Sequence, residues 1–167
     1  MEKKYQIVYA DPPWHYNDQT CRGAASRHYP TMELDELLLL PVGKLAHPDG
    51  CHLWVWVTWP KIRDGWLHRL FEAWGFKWKT EMTWDKQVMG PGRYLRKQTE
   101  VLCLGVTHKM RLLTKDQIDI VHEPRSQNHS EKPERFRKII ERMSPGPRIE
   151  LFARKEALGW DRWGLQA

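Results

Sequence analysis

Hydrophobic positions along the chain fall into short blocks of two periods. Residues 5–10 (Tyr-Gln-Ile-Val-Tyr-Ala) are mostly apolar and run into a turn rich in Asp and Pro, the pattern of a buried strand with Asp11 at its end. Residues 34–40 carry leucines at helical spacing and meet Pro41, so a short helix is predicted there. Further strands are predicted over 52–57, 77–83 and 99–104, the last ended by Gly105, and a helix over 61–74 stopped by Gly75. Residues 110–121 fit neither period. Residues 134–143 place apolar side chains on one helical face up to Ser144-Pro145-Gly146, and 148–153 reads as a further strand. Strands alternating with helices predict an α/β fold: a mostly parallel sheet with helices on both faces and an antiparallel hairpin near the end of the chain.

Two stretches, 14–30 and 85–98, follow neither period, and the second holds Gly90, Pro91, Gly92, Arg93, Arg96 and Lys97. Ligands of open parallel sheets sit at the carboxyl ends of strands, where both stretches would emerge, so both are expected to border the site.

At 167 residues the chain is expected to be a single domain, 1–167, with no separate target-recognition domain, and 41% hydrophobic residues suffice for a core without disulfide or metal staples. The 27 Lys+Arg against 21 Asp+Glu leave a net charge of +6, which favours polyanionic partners. Most of the ten Trp are expected in the core, with stacking faces beside cations as their alternative use. Cys21, Cys51 and Cys103 form no Cys-x-x-Cys pair, as in a reducing compartment. No apolar run approaches the roughly 18 residues of a membrane span, and the first residues lack the apolar stretch of a signal peptide. A soluble, cytoplasmic protein is expected. Asp18 is the only acid close to Asp11 in sequence, so no metal is expected. Cytosine-C5 methylation would use a nucleophilic Cys that usually follows Pro, whereas these three follow Thr20, Gly50 and Leu102.

Chemistry concentrates in Asp11-Pro12-Pro13-Trp14. Consecutive prolines remove two backbone donors and stiffen the turn, leaving carbonyl acceptors beside a carboxylate. Such an acceptor-only cluster suits an exocyclic amine with two N–H groups, and Trp14 offers a face for a planar heterocycle. An adenine amino group fits. Its nitrogen is a poor nucleophile because the lone pair is delocalised, and acceptors on its N–H bonds favour the charge-gaining nitrogen of the transition state. The bland alternative is a proline-stiffened turn with Asp11 capping backbone amides.

These residues and three later blocks resemble the MT-A70 family of adenine-N6 methyltransferases along nearly the whole chain. Tyr9-Ala10-Asp11-Pro12-Pro13-Trp14 resembles its catalytic motif, and His28-Tyr29-Pro30-Thr31-Met32 the block that follows. Residues 90–105, with Arg96, Glu100 and Gly105, resemble its glycine-rich loop and strand. His129-Ser130-x-Lys132-Pro133 with residues 145–154 and 159–164 resembles its C-terminal cofactor block.

The resemblance implies a Rossmann-like methyltransferase sheet in circularly permuted order, with the catalytic motif near the N-terminus and S-adenosylmethionine as cofactor. It implies catalytic roles for Asp11, Pro12, Pro13 and Trp14. Cofactor contacts are implied for Asp11, Lys132, Glu150, Phe152, Arg154, Gly164 and Gln166, with Lys132 near the cofactor carboxylate and Glu150 and Arg154 lining the ribose. Trp14, Tyr29, Arg93, Arg96 and Lys97 would bind nucleic acid, a flipped or single-stranded adenine entering between Trp14 and the 90–97 loop. Where the family commonly has Asn after Trp-Gly, this chain has Leu165, so Gln166 or backbone groups must read the cofactor's adenine edge. DNA is the expected substrate and RNA the alternative; the motifs do not separate them, and a homo-oligomer is left open. A non-catalytic nucleic-acid-binding subunit of the same fold is the alternative of another class. The intact Asp11 and Trp14 argue against it.

Overall fold

The computed structural model describes residues 3–16, 31–92, 94–126 and 131–164. Along the chain come β1 (Ile7–Ala10), α1 (Leu34–Leu38), a 3-10 turn (Val42–Leu45), β2 (His52–Val57), α2 (Trp59–Arg63) and α3 (Trp66–Ala73). β3 (Lys77–Asp85), β4 (Thr99–Val106), β5 (Ile120–His122), α4 (Glu134–Met143), β6 (Arg148–Leu151) and β7 (Asp161–Trp163) follow. The strands form a seven-stranded sheet in the order β5-β3-β4-β2-β1-β6-β7. β1 pairs in parallel with β2 and β6, β6 with β7, and β3 with β5, while β4 runs antiparallel to both β2 and β3. Six strands therefore point one way, and their carboxyl ends share one edge with the amino end of β4. The expected Rossmann-like architecture is present: a mostly parallel sheet with helices on both faces.

Alternation along the strands sorts the core into two layers. Val8 and Ala10 of β1 pack with Leu37 of α1 and Leu67, Leu70 and Phe71 of α3. Ile7 and Tyr9 face the other way, onto Phe136, Ile139 and Ile140 of α4. Trp56, Trp84 and Phe136 meet edge to face on this second side, with Trp56 and Phe136 centroids 4.8 Å apart. Trp14, Trp54, Trp56, Trp74, Trp84 and Trp160 are buried, so most of the tryptophan is core, as expected.

The strand over 52–57 and the helix over 134–143 have the predicted bounds. Three expectations change. The helix predicted over 61–74 is two helices, because Gly65 adopts a left-handed conformation (φ 78°) and caps α3. Gly105 does not end β4: a Cβ there would lie 2.3 Å from the Phe71 ring, so the glycine lets α3 sit close on the strand, which continues to Val106. The antiparallel hairpin is β3–β4, within the sheet, and not near the chain end. There, the 152–160 link carries the chain back so that β7 joins β6 in parallel. No helix among the described residues is long and apolar enough to cross a membrane.

Candidate active site

Asp11 is the first residue beyond β1, at the edge where six carboxyl ends meet. The prolines behind it fix a tight path. The Trp14 N–H donates to the Pro12 carbonyl (2.8 Å) and the Met32 N–H to the Pro13 carbonyl (2.8 Å). Both carbonyls, expected to face outward unengaged, thus each have one lone pair taken and one left. Trp14 departs further from expectation. It is buried, its indole N–H donates to the Trp56 carbonyl (2.9 Å), and its ring meets Trp66 edge-on at 6.3 Å. An indole bridging β1 and β2 pins the turn and offers no open stacking face. An exposed aromatic at this edge is Trp59, just past β2, whose indole N–H reaches the Thr99 hydroxyl (3.3 Å). Next to it the Lys61 ammonium lies 3.1 Å from the Trp66 ring centroid and 4.9 Å from that of Tyr16, a buried cation held by aromatic faces.

Around Asp11 the strand ends assemble a chain of charges. Lys132, just ahead of α4, donates to the Asp11 carboxylate (3.0 Å) and lies 3.3 Å from Glu100 at the start of β4. Lys86, just past β3, closes on the other Glu100 oxygen at 3.2 Å, and Arg154 stands 3.7 Å from Asp11. Burial alone would push the Lys132 ammonium toward deprotonation, but the Asp11 and Glu100 carboxylates outweigh it and hold its pKa above the ordinary lysine value. Burial likewise pushes Glu100 up, and Lys132 and Lys86 reverse that, holding its carboxyl below the ordinary range. Lys132 and Glu100 thus each hold the other in its charged form.

The residues expected to hold a cofactor are brought to this edge only in part. Glu150, expected with Arg154 at the cofactor ribose, is held from α4. It accepts two hydrogen bonds from buried Arg137 of α4 (2.6 and 3.2 Å), so it ties the helix to β6. Lys132 is engaged by Asp11 and Glu100. Arg154, with 31% of its side chain exposed against 14% for Lys132, is the more accessible cation. Phe152 turns sharply out of β6 (φ 60°), its ring edge-on to Trp163 at 5.5 Å. A Cβ on Gly164 would come within 2.9 Å of the Phe152 and Ala153 backbone, so only glycine lets the end of β7 close on that turn. Arg96 and Lys97 lie exposed on the β3–β4 hairpin, outside the charge chain. Tyr29, Arg93 and Gln166, and with them His28, His129, Ser130 and Leu165, lie outside the described residues.

Two members, Lys86 and Glu100, were not singled out for a role in the sequence. The available signal was a carboxylate opening an otherwise apolar run (Thr-Glu-Val-Leu-Cys-Leu) and a lysine just beyond the end of its antiparallel partner.

A carboxylate fixed by cations, beside carbonyls with spare lone pairs and a group of strand ends, can accept hydrogen bonds from an amine and hold an anionic or zwitterionic ligand nearby. The comparisons with known proteins agree with that chemistry. The MT-A70 family profile matches residues 5–166. The chain is 38% identical to the Type II methyltransferase M.MunI of Mycoplasma sp, over 98% of this chain and 78% of that protein. It is 32% identical to the human N(6)-adenosine-methyltransferase catalytic subunit METTL3, over 90% of this chain and 26% of that one. Against the human N(6)-adenine-specific methyltransferase METTL4 it is 26% identical, over 97% of this chain and 37% of that one.

Proposed function

The chain belongs to the MT-A70 family, and from that premise we propose that this methyltransferase moves a methyl group from S-adenosylmethionine to the N6 amine of adenine in DNA, by direct in-line transfer. The observation that carries this reading is Asp11, held at the strand edge by Lys132 and Arg154 beside the Pro12 carbonyl.

When bound, S-adenosylmethionine supplies an electrophilic sulfonium methyl. The donor set suits it: a cation with exposure in Arg154 for its carboxylate, and a glycine-tightened turn at Phe152 and Gly164 against which an adenosine can lie. Asp11 accepts from one N–H of the target amine, and the second lone pair of the Pro12 carbonyl accepts from the other. Positive charge develops on that nitrogen as it attacks, and the fixed carboxylate stabilises it more than the neutral ground state. Lys132 holds the carboxylate in place, and Trp14, bonded to β2, keeps the turn from shifting. The bond from N6 to the methyl carbon would form as the sulfonium–methyl bond breaks, the sulfur leaving as a neutral thioether and the surplus amine proton passing to the Asp11 carboxylate, with no covalent enzyme intermediate. The circular permutation belongs to the same reading, since the amine-binding turn follows β1 whereas Phe152 and Arg154 follow β6.

DNA is favoured over RNA because the chain spans 78% of a Type II methyltransferase, while in METTL3 the matching block is about a quarter of a longer protein. Arg96 and Lys97, with Arg93, would meet the phosphates. The test is labelled methyl incorporation by the purified chain into DNA and RNA strands of matched sequence. N6-methyladenine in the DNA is expected. Exclusive labelling of RNA would overturn the substrate, and no labelling of either would turn the reading into that of a non-catalytic subunit.

A further inference from the structure

The β3–β4 hairpin continues past the sheet. The Lys86 N–H donates to the Gln98 carbonyl (3.1 Å) and the Gly90 N–H to the Lys97 carbonyl (2.7 Å), so the two arms stay paired well beyond Asp85 and Thr99. Two glycines permit the tight end: a Cβ on Gly90 would lie 2.7 Å from the Lys97 carbonyl oxygen, and one on Gly92 would lie 2.0 Å from that of Leu95. The turn presents Tyr94 at 100% and Leu95 at 73% exposure, beside exposed Arg96 and Lys97. From Lys86 to Gln98 the sequence has four cations (Lys86, Arg93, Arg96, Lys97) and no carboxylate. The stem is tied to the site, since Lys86 binds Glu100, Glu100 contacts Lys132, and Lys132 binds Asp11.

An ordered turn that holds an aromatic and a leucine in water gains nothing for folding from either. Flanked by cations alone, it suits a partner that is anionic outside and apolar within, which describes a base-paired duplex better than a protein surface. We propose that Tyr94, backed by Leu95, is a wedge that enters the stack of duplex DNA and holds it open while the target adenine is turned out toward Asp11. This rests on the adenine-methyltransferase reading above, in which a stacked, paired amine is out of reach until the base leaves the helix. Arg96 and Lys97 would grip the phosphates beside the opened step.

The test uses the whole chain and DNA free of N6-methyladenine, offered native and heat-denatured. Wild-type protein is expected to label both. Tyr94→Ala should lose about tenfold or more of its rate on native DNA, the scale of one lost aromatic stack, while staying within about twofold on denatured DNA. Tyr94→Phe, which keeps the ring, should restore the native rate. Equal losses on the two substrates, no loss on native DNA, or wild-type activity confined to denatured DNA would each overturn the wedge. Equal losses with a changed oligomeric state by light scattering would assign the turn to a contact between copies of the chain. Wild-type protein that labels neither substrate would instead remove the methyltransferase reading itself.

Discussion

Two ion clusters among the described residues lie on the α4 side of the sheet, and they differ in the sign of their excess charge and in where their cations sit. In the first, one cation, Arg137, is shared by Glu134 and Glu150 inside the layer between α4 and β6, with only 7% of its side chain exposed. In the second, three cations (Lys132, Lys86 and Arg154) surround two carboxylates (Asp11 and Glu100) at the strand ends, with 14–31% of each side chain exposed. The Arg137–Glu150 pair of the first cluster is enclosed, with Glu134 half-exposed at its rim, so its geometry serves packing. Among the described residues the second has more cations than carboxylates and faces the edge, so it can take on an anionic ligand there. One kind of interaction thus serves stability in one place and chemistry in another, and the local count of charges decides which.

That contrast can be broken most severely at Arg137. Arg137→Met leaves Glu150 buried beside Tyr9 without its cation and should cost about 3–5 kcal/mol of stability, read as a lowered urea midpoint. Arg137→Met combined with Glu150→Gln should recover most of that loss, because no buried charge is then left unpaired. A mild single variant, or a double variant no better than the single, would mean that the pair does not hold α4.

The same measurement on Glu100→Gln should give a smaller change, about 1–3 kcal/mol at neutral pH, the scale of hydrogen bonds to charged groups. Its pH dependence is the sharper reading. The folded protein holds the Glu100 carboxyl below its ordinary value, so the unfolded chain binds the proton more readily. Its stabilising contribution is therefore full above the ordinary glutamate range and is lost as pH falls through the lowered folded value. Wild-type stability should fall more steeply than that of Glu100→Gln between about pH 5 and pH 3, the span in which an unfolded glutamate takes up its proton. Parallel pH profiles would contradict the ionised network.

Much of this architecture was legible in the sequence where periodicity was strong. Strand His52–Val57 is apolar at nearly every position, and helix Glu134–Met143 keeps Phe136, Ile139, Ile140 and Met143 on one face, so both were bounded correctly. β7 was missed because Asp161–Trp163 is three residues with two of them exposed, which leaves no alternation to read. The direction of β4 was also hidden, since pairing direction leaves no mark in an apolar run. At the site the motif locates Asp11, and the resemblance supplies roles for its neighbours without their partners. The sequence does not show that Asp11 and Glu100 hold Lys132, that Arg137 holds Glu150, or that the Trp14 indole is bonded to β2 and closed to stacking. Charged side chains find their partners through the fold, and one-dimensional spacing carries little of that.

The central claim is that Asp11 acts on the amine, with its cations serving to hold it there. It is tested most directly by Asp11→Ala in the whole chain, with N6-methyladenine measured by mass spectrometry on DNA and S-adenosylmethionine binding measured by calorimetry. Product formation should fall by about a hundredfold to a thousandfold, the range for removing one preorganised electrostatic group, while cofactor affinity changes only a few-fold. Near-wild-type formation of N6-methyladenine by this variant would contradict the account.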